Sequence, residues 1–539
     1  MSLFGSLYIG SSGLQTSQNA LNTTAHNMSN IDTTGYTRQQ VQQGTRIYKT
    51  ISTSASAISY QQTGLGVNYT QVKQIRDYFL DKSYRRESGR SAFYDTYTAA
   101  VEEIENLFQE LDGEAFAESI DNLWSSVQEL AKDPGNAVNQ GVFVQRCSEF
   151  LSRAEAVYSG LCEYQENLNY KIKQQVDTMN AYAKRISELN QEILKIEAGK
   201  IEKANDLKDE RNQLIDELST MGYIDCKEDV DGNVLIKLEG KDFVKSDSYN
   251  EILLDVDEKT GFYTPYWKQL AVTTTVGGVT TVDITGAKLY NMEQEISTDT
   301  NTDIGALKAM LFARGNKRAT FEDLKNADTY NKEISQSIMM NVQAEFDQLI
   351  HEVTISINKV FDDAAKAETA KNPDTSYLRP NKDADPYTIF DTKTGSKDPD
   401  DFTIENLLIN GEIKQAPSLL GLKKDDGKID QETADTLKGI FTEQKYTLNP
   451  NVKTTTNFVN YYNNLISQVG NIGSVFRGIS ENQEVTVDNI SAAREQVLGV
   501  SSDEELSNMI MFQNAYNASS RYINVISELL EHIINTLGR

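Results

Sequence analysis

The chain has 539 residues, of which 39% are hydrophobic and 9% aromatic, and its formal net charge is −27. This length predicts several domains with real hydrophobic cores rather than wholesale disorder. The strong negative charge argues against nucleic acid and anionic membrane surfaces as partners.

The first forty residues carry a heptad pattern of apolar side chains. Leu7, Leu14, Leu21 and Met28 recur every seven residues, and no charged residue precedes Asp32. The other seam position of the heptad holds Leu3, Gly10, Ser17, Thr24 and Ile31. This spacing is typical of helices that pair with a left-handed supercoil. Several glycines in the same stretch each cost about 1 kcal/mol of helix stability relative to alanine. We therefore predict a helix that is marginal alone and ordered only against a partner.

The last residues repeat this pattern. Apolar residues follow steps of three and four from Met509 to Leu537, and Ser502 with Glu505 predicts a capping box at the start of that helix. Two nearly uncharged stripes at opposite chain ends predict that the terminal helices pair with each other and leave outer faces for another partner. Periodicity alone favours a simpler interpretation, in which both are core helices of an ordinary bundle.

The segment that closes the first stripe, AHNMSNIDTTGYTRQQ at residues 25–40, resembles the amino-terminal signature of the bacterial flagellar axial proteins. This family comprises rod, hook and hook-associated proteins. The Gly35–Gln39 ending is most similar to the hook-associated branch, since rod and hook proteins usually have Gly-Phe there. Residues 64–80 and 501–516 resemble two further blocks of the family, and residues 204–219 resemble a block of the hook-associated branch.

Between the ends, the apolar period changes twice. Steps of three and four predict long helices at 142–156 and 161–196, and then a period of two with a Gly277–Gly278 turn predicts a small β domain at 222–298. Helix returns near residue 304 and gives way to 372–450, which holds six of the eight prolines. This proline content predicts a separate, non-helical insertion.

The predicted fold is mainly α with inserted β-structure. Terminal helices form a coiled-coil or helical-bundle core domain, to which a small β domain and a second, irregular α/β or β insertion are added. The predicted boundaries are 1–45 with 500–539 for the terminal helical domain, which the resemblance places in an inner tube; 46–221, 299–371 and 451–499 for an elongated helical bundle; 222–298 for the small β domain; and 372–450 for the outer inserted domain.

No catalytic or metal-binding motif has the required spacing. Gly64-Leu65-Gly66 lacks the third glycine of a dinucleotide loop, His351 lacks a second histidine at Ile355, and Asp229–Gly232 lacks the carboxylates of a calcium loop. The charged residues of 204–219 are interpreted as a solvated helix face with Leu207, Leu214 and Leu218 turned inward, and His351 as a helix-surface or interface residue. Three cysteines at no metal-ligand spacing predict buried thiols without a disulfide. We expect no enzymatic activity, cofactor or metal.

The resemblance implies a structural subunit of the flagellum that joins hook to filament through packed terminal helices. It also implies the partners: further copies in a helical ring, the hook protein, hook-associated protein 3, and an export chaperone at the C-terminal helix. Two alternatives stay open. One is another axial protein, such as a hook or distal rod subunit, and the other is a cytosolic helical binding protein or enzyme.

The sequence contains no apolar run of about eighteen residues, so we expect no membrane insertion. It also lacks a basic segment followed by an apolar core, so we expect no cleaved signal peptide. Taken alone, these features predict a cytosolic protein. The resemblance implies instead an extracellular position at the hook–filament junction, reached by type III export without a cleaved leader.

We expect the assembly contacts to come from the two apolar stripes and from polar signature residues that suit hydrogen bonds across a helical seam. Gly35 suits a turn that needs a positive φ. The candidate interface residues are Leu3, Leu7, Leu14, Leu21, Asn27, Met28, Asn30, Ile31, Gly35, Tyr36, Arg38, Gln39, Met509, Phe512, Tyr516, Ile523, Ile526, Leu530, Ile533 and Leu537.

Overall fold

The computed structural model describes residues 3–46, 48–53, 60–109, 116–199, 202–276 and 279–537. Contacts within the chain divide it into two compact units. Unit 1 contains residues 1–91, 177–251 and 483–539, and unit 2 contains residues 92–176 and 252–482. None of the described helices is both long enough and apolar enough to cross a membrane.

Long helices dominate both units, and the strands are short and antiparallel. The helices are α1 (Leu3–Ser29), α2 (Tyr78–Gln109), α3 (Phe116–Lys132), α4 (Ala137–Glu197), α5 (Asn205–Met221), α6 (Ala306–Arg314), α7 (Ala327–Thr329), α8 (Ile338–Lys371), α9 (Gly411–Gln415), α10 (Gln431–Thr442), α11 (Phe458–Leu498) and α12 (Ser502–Leu537). The strands are β1 (Gln39–Thr45), β2 (Lys49–Thr53), β3 (Tyr60–Thr63), β4 (Val67–Gln74), β5 (Ile224–Glu228), β6 (Val234–Leu238), β7 (Lys241–Val244), β8 (Ile252–Val256), β9 (Tyr263–Trp267), β10 (Val272–Val276), β11 (Val279–Asp283), β12 (Phe390–Thr392) and β13 (Leu407–Ile409). The prediction of a mainly α chain with inserted β-structure is confirmed.

The two helices predicted at 142–156 and 161–196 are one continuous helix, α4. Gly160, which lies between the two predicted segments, does not interrupt it. A Cβ at this position would lie 2.8 Å from Cδ2 of Leu107, so the glycine allows a close approach of that side chain. The cost of one glycine in a helix, about 1 kcal/mol, is small beside the burial that such a long helix provides.

In unit 1, α1 packs along α12, as the matching stripes predicted. On α12 the predicted stripe forms the more buried side, where Ile526 is only 6% exposed. On α1, however, the most buried positions are small residues such as Ser6, Ser17, Ala20 and Thr24. The leucines of the predicted α1 stripe are only half-buried. Small side chains therefore form the seam, because they let the two helices come close together.

Gly10 shows how close the helices are. A Cβ at this position would lie 2.7 Å from Cγ1 of Ile523 on α12, whereas a Cβ at Gly5 would meet nothing within 4 Å. We expect Gly10→Ala to weaken the α1–α12 pairing by about 1–3 kcal/mol through overpacking. The matched change Gly5→Ala should leave the pairing intact or strengthen α1. Hydrogen exchange of the α12 amides would test this, and equal protection in the two variants would contradict it.

Short antiparallel strands follow α1 and α5 in unit 1. β1 pairs with β4, with Gln39 opposite Gln74, and β2 pairs with β3. Strands β5, β6 and β7 form a three-stranded sheet. Residues Asp229–Gly232 form a hairpin turn between β5 and β6, in which Oδ1 of Asp229 accepts hydrogen bonds from the backbone N–H groups of Asp231 and Asn233.

In unit 2, β10 and β11 form the predicted hairpin, with Val276 opposite Val279. The turn residues Gly277–Gly278 lie outside the described residues. Helix α8 lies in the core, and two of its carboxylates, those of Glu345 and Asp347, are fully buried. Asp347 accepts hydrogen bonds from the backbone N–H groups of Phe321 and Ile404, at 3.0 and 2.8 Å. Ile404 of the predicted insertion is therefore anchored to a buried helix. The prediction that this insertion is non-helical is wrong, since α9 and the 12-residue α10 lie within it. Prolines mark the loops of the segment and do not exclude helices between them.

The prediction that His351 is a helix-surface or interface residue is wrong. This side chain is 9% exposed, and its ring stacks on that of Phe321 with 3.7 Å between the centroids. Its Nδ1 lies 3.1 Å from the carbonyl oxygen of Phe402. The sequence could not indicate this burial, because Phe402, whose carbonyl contacts the ring, belongs to the insertion and lies 51 positions further along the chain.

Candidate functional site

The signature of residues 25–40 turns back at the end of α1. The backbone N–H of Asn30 donates to the carbonyls of His26 and Asn27, and that of Tyr36 donates to Thr33. Gly35 has a φ of 79°, as the sequence predicted. A side chain at this position would be strained, because only glycine adopts a positive φ without a steric penalty. The turn brings the following residues back beside Asn27.

Asn27 is the centre of a group of hydrogen bonds. It is 1% exposed, and its amide uses both donor and both acceptor positions. Nδ2 donates to the carbonyl of Gln39 at 2.8 Å and to Oε2 of Glu505 at 3.2 Å. Oδ1 accepts from the hydroxyl of Tyr36 at 2.7 Å and from the N–H of Gln39 at 3.1 Å. One buried amide thus joins the end of α1, the start of β1 and the start of α12.

Arg38 makes the second connection to α12. Its Nε donates to Oε1 of Glu505 at 2.9 Å, and Nη1 lies 2.6 Å from Oε2 of Glu504. Its backbone N–H donates to the carbonyl of Leu498 at the end of α11. Hydrogen bonds between ionised groups are about twice as strong as neutral ones. We call Asn27, Tyr36, Arg38, Gln39 and Glu505 the polar clamp.

The predicted capping box of Ser502 and Glu505 is wrong. Helix α12 already includes Ser502 as its first residue, so Ser502 does not precede the helix as a capping residue must. The Glu505 side chain is directed to Asn27 and Arg38 instead. A hydrogen bond between a carboxylate and a guanidinium is stronger than one between a carboxylate and a neutral backbone N–H. Glu505 therefore binds Arg38 and not the backbone at the start of α12.

Helix α5 supports the clamp through Asp209. Its Oδ2 accepts a hydrogen bond from the N–H of Thr37 at 3.2 Å, and its Oδ1 accepts from Nε2 of Gln74 at 2.8 Å. Asp209 and Arg211 are only 8% and 2% exposed, so the interpretation of their helix face as solvated is wrong for both. The α5 face carries charge because it contacts the polar backbone of the signature.

The inward leucines of α5 are where the sequence placed them. Leu218 is buried, and Leu207 and Leu214 pack against a buried cluster that includes Leu189 and Ile193. The helical period therefore located the apolar side of α5 correctly. It failed only for the polar residues that another segment of the chain covers.

Burial raises the pKa of Asp209 to about 6, against the hydrogen bonds from Thr37, which lower it. Between about pH 4 and 6 the folded protein keeps this proton while the unfolded chain has released it. Stability therefore falls as the pH rises through this window. Burial is also the main cause that raises the pKa of Tyr36, together with the charge of Asp209.

We expect the effect of Asp209 on the free energy of unfolding to change by about 2–3 kcal/mol across this window. Urea unfolding of the wild type and of Asp209→Asn should be compared at pH 4 and pH 7. The free energy of unfolding of the wild type, minus that of Asp209→Asn, should be about 2–3 kcal/mol larger at pH 4 than at pH 7. Asp231→Asn, in an exposed turn of unit 1, serves as the control. A difference that does not change with pH would contradict the prediction.

A second ionic cluster holds the end of α11. Arg494 donates from Nε to Oδ1 of Asp81 at 2.7 Å and from Nη2 to Oδ2 of Asp216 at 2.6 Å. Arg85 also binds Asp216, and Arg76 binds Asp81 with both Nε and Nη2. Burial raises the pKa of Asp81, but the hydrogen bond and charge of Arg76 and the charge of Arg494 hold it below its usual value. This cluster fixes the segment that leads into α12.

The predicted interface residues fall into three groups. The first comprises Asn27, Tyr36, Arg38 and Gln39, which meet in the polar clamp. The second group comprises the apolar residues, most of which are half-buried along the α1–α12 pair. The half-buried ones are Leu7, Leu14, Leu21, Met28, Met509, Phe512, Tyr516, Ile523 and Leu530. Ile526 is buried, whereas Ile31 and Ile533 are exposed. In the third, Gly35 and Asn30 shape the turn. The side chains of Leu3 and Leu537 lie outside the described part of the chain.

Sequence reasoning missed Gln74 and Asn205, and it gave Asp209 and Glu505 no interface role. Nε2 of Gln74 also donates to the carbonyl of Asn205, so β4 and the start of α5 join the same network. One signal was available, since the family blocks at 64–80, 204–219 and 501–516 carry or adjoin these residues. Blocks that are distant in sequence but share one family signature are candidates for contact in space.

Much of the apolar surface of α12 is exposed in the described part of the chain. Val525 is 53% exposed and Ile534 is 68% exposed. Near the N-terminus of α1, Phe4 and Tyr8 are 65% and 62% exposed. We call the following residues the outer face: Phe4, Tyr8, Leu506, Ile510, Met511, Tyr522, Val525, Leu529, Ile533 and Ile534. An apolar surface of this extent is typical of an interaction site.

Comparison with known proteins gives matches at both ends and in the middle. Residues 101–369 match the family "Flagellar hook-associated protein FlgK helical domain". Residues 7–37 match "Flagella basal body rod protein", and residues 497–536 match "Flagellar basal body rod FlgEFG protein C-terminal". The two terminal matches cover most of α1 and α12.

Full-length relatives carry one name. Flagellar hook-associated protein 1 of Bacillus subtilis is 26% identical over 549 residues, which cover 100% of this chain and 99% of that protein. The chain belongs to the flagellar hook-associated protein 1 family. Proteins of the same name from Salmonella typhimurium and Escherichia coli are each 23% identical, over 97% of this chain and 98% of theirs.

A solved structure supports the fold. The flagellar hook junction protein FlgK of Burkholderia pseudomallei aligns with a TM-score of 0.55 and 12% sequence identity. The alignment covers 78% of this chain and 100% of that one. At this identity the likeness concerns the architecture alone, and it agrees with long helices interrupted by small sheets.

Proposed function

We propose that the chain is a structural subunit of the bacterial flagellum that joins hook to filament. One observation carries the proposal: α1 and α12, drawn from opposite ends of the chain, form one pair that the polar clamp locks and whose outer face is apolar. A subunit that packs into a tube needs a preformed helical pair with apolar surface on its outside. The full-length relatives named flagellar hook-associated protein 1 support the same role.

The mechanism is geometric. The clamp fixes where α12 starts relative to α1, and the small-residue seam sets the distance between the helices. Neighbouring subunits would then cover the outer face, and burial of apolar area would provide most of the association energy. The clamp contributes little to that energy directly. It keeps the two helices in the one arrangement that neighbours can pack against.

The proposal includes the partners that the family resemblance implies. These are further copies of the chain in a helical ring, the hook protein on one side, hook-associated protein 3 on the other, and an export chaperone at the C-terminal helix before assembly. The subunit would leave the cell by type III export and act outside it, without enzymatic activity. The predicted four-part domain division and the candidate interface residues belong to this proposal.

The test is electron microscopy of a strain that lacks the corresponding gene, with and without a plasmid that restores it. We expect hooks to remain while filaments are lost, and the plasmid to restore filaments. Loss of hooks as well would indicate a hook or distal rod subunit. Normal filaments in the deletion strain would overturn the proposal.

A further inference from the structure

Unit 1 contains a cavity of about 360 Å³ with an unusual charge for this chain. Seven basic side chains line it, against two acidic ones, Asp81 and Glu228. The chain as a whole has a net charge of −27. β4, the start of α5 and the sheet strand β5 all contribute lining residues. A basic cavity in so acidic a protein calls for a specific explanation.

Ion pairs account for four of the seven basic groups. Arg76 binds Asp81, and Arg85 binds Asp216. Lys203 and Lys208 both bind Glu197, with Nζ–Oε distances of 2.8 and 2.7 Å. The remaining basic lining residues are Lys73, Arg211 and Lys227.

Arg211 is the buried member of this group. It is 2% exposed, and Nη1 donates to Oδ1 of Asn190 and to the carbonyl of Gly232, both at 2.9 Å. Among the described residues, its Nε is buried without a hydrogen-bond partner. The nearest carboxylate, Oε1 of Glu228, lies 3.9 Å from Nη2, too far for a hydrogen bond, and that side chain is 56% exposed. Burial lowers the pKa of Arg211, in keeping with a cation that lacks a close counter-charge.

Lys73 on β4 and Lys227 on β5 are exposed and line the same cavity. Asn205, the first residue of α5, lines it too, and its backbone lies at the positive end of the helix dipole. No side chain caps that helix terminus. A small anion in the cavity would therefore meet one buried guanidinium, two exposed ammonium groups and a helix N-terminus.

We propose that this cavity binds a small tetrahedral oxyanion, for which inorganic phosphate is the representative ligand. An oxyanion has several acceptor oxygens and up to two negative charges. These match the three basic groups that lack a close carboxylate partner among the residues that the structure describes. A bound anion would neutralise Arg211 and hold β4, α5 and β5 together. These elements adjoin the polar clamp through Gln74 and Asn205, so the anion would stabilise the clamp side of unit 1.

The test is a phosphate titration of the purified full-length protein at constant ionic strength, followed by calorimetry and by ³¹P NMR. The double variant Lys73→Gln/Lys227→Gln removes two exposed charges without disturbing the core, and we expect it to weaken phosphate binding at least about tenfold. Lys241→Gln, an exposed lysine on β7 outside the cavity, should bind as the wild type does.

Arg211→Gln should abolish binding, and circular dichroism will show whether this variant is folded. Saturable binding that the double variant loses and the control keeps would support the site. Phosphate binding that does not saturate, or that is equal in the double variant and the Lys241→Gln control, would overturn it. The double variant decides the matter even if Arg211→Gln does not fold.

Discussion

Purified Ile526→Asp protein should fail to cap isolated hooks. Ile526 is 6% exposed in the seam between α1 and α12, so the new carboxylate would be buried without a basic partner. An unpaired charge in such a place costs on the order of 4 kcal/mol, in addition to the lost apolar burial. The α1–α12 pair would separate, and the outer face would lose its arrangement. Electron microscopy of hooks incubated with the purified protein measures the result without any step of export.

Asn524→Asp is the matched control, since it adds the same charge two positions earlier on an exposed side of α12. It should cap hooks as the wild type does. From the sequence, where the terminal helices are expected to be ordered only against a partner, a charge at Ile526 would cost little in a free subunit. The structure changes this expectation, because Ile526 is buried within one chain. Normal capping by Ile526→Asp would show that the seam is not needed for assembly.

Asn27→Asp should break hydrogen bonds of the polar clamp, although the two side chains have almost the same shape. The substitution replaces Nδ2 by an oxygen, which would face the carbonyl of Gln39 and the carboxylate of Glu505 in place of two hydrogen bonds. Two lost bonds and two repulsive contacts in a buried site predict a loss of about 3–5 kcal/mol from unit 1. Hydrogen exchange should show faster exchange at the Gln39 amide, which donates to Asn27.

Asn30→Asp provides the control for the same chemical change. Asn30 lies one turn further along, and its side chain bonds to the carbonyl of His26 and to Thr33 at an exposed site. This variant should keep the wild-type stability within about 0.5 kcal/mol. If both variants unfold at the same urea concentration as the wild type, the clamp does not hold the chain termini together.

Periodicity predicted what depends on local spacing. The apolar steps of the last residues located α12 and its more buried side, and the change of period to two located the strands after α5. The positive φ of Gly35 could also be predicted, because a conformational requirement of one residue is visible in its type. The continuity of α4 was missed, because its apolar steps were divided into two segments at residues 157–160. Gly160 in this interval is a point of close packing against Leu107.

Long-range polar contacts could not be predicted. Glu505 and Asn27 are 478 positions apart, and Asp209 and Thr37 are 172 apart. A charged residue on a helix has no local feature that shows whether water or another segment covers it, so Asp209 was assigned to a solvated face. The heptad pattern placed Gly10, Ser17 and Thr24 at the seam, but it did not show that these small residues would be more buried than the leucines. Leucines dominate a heptad pattern by hydrophobicity, whereas close helix approach is decided by the small residues between them.

The most direct measurement is electron cryo-microscopy of hooks capped by the purified wild-type protein. We expect a ring of subunits in which α1 and α12 lie as one pair in the inner tube, with the outer face of α12 buried against neighbouring helices. We also expect Asn27, Arg38 and Glu505 in contact at the end of each pair. A ring held together by unit 2, with α1 and α12 apart or exposed to solvent, would contradict these expectations.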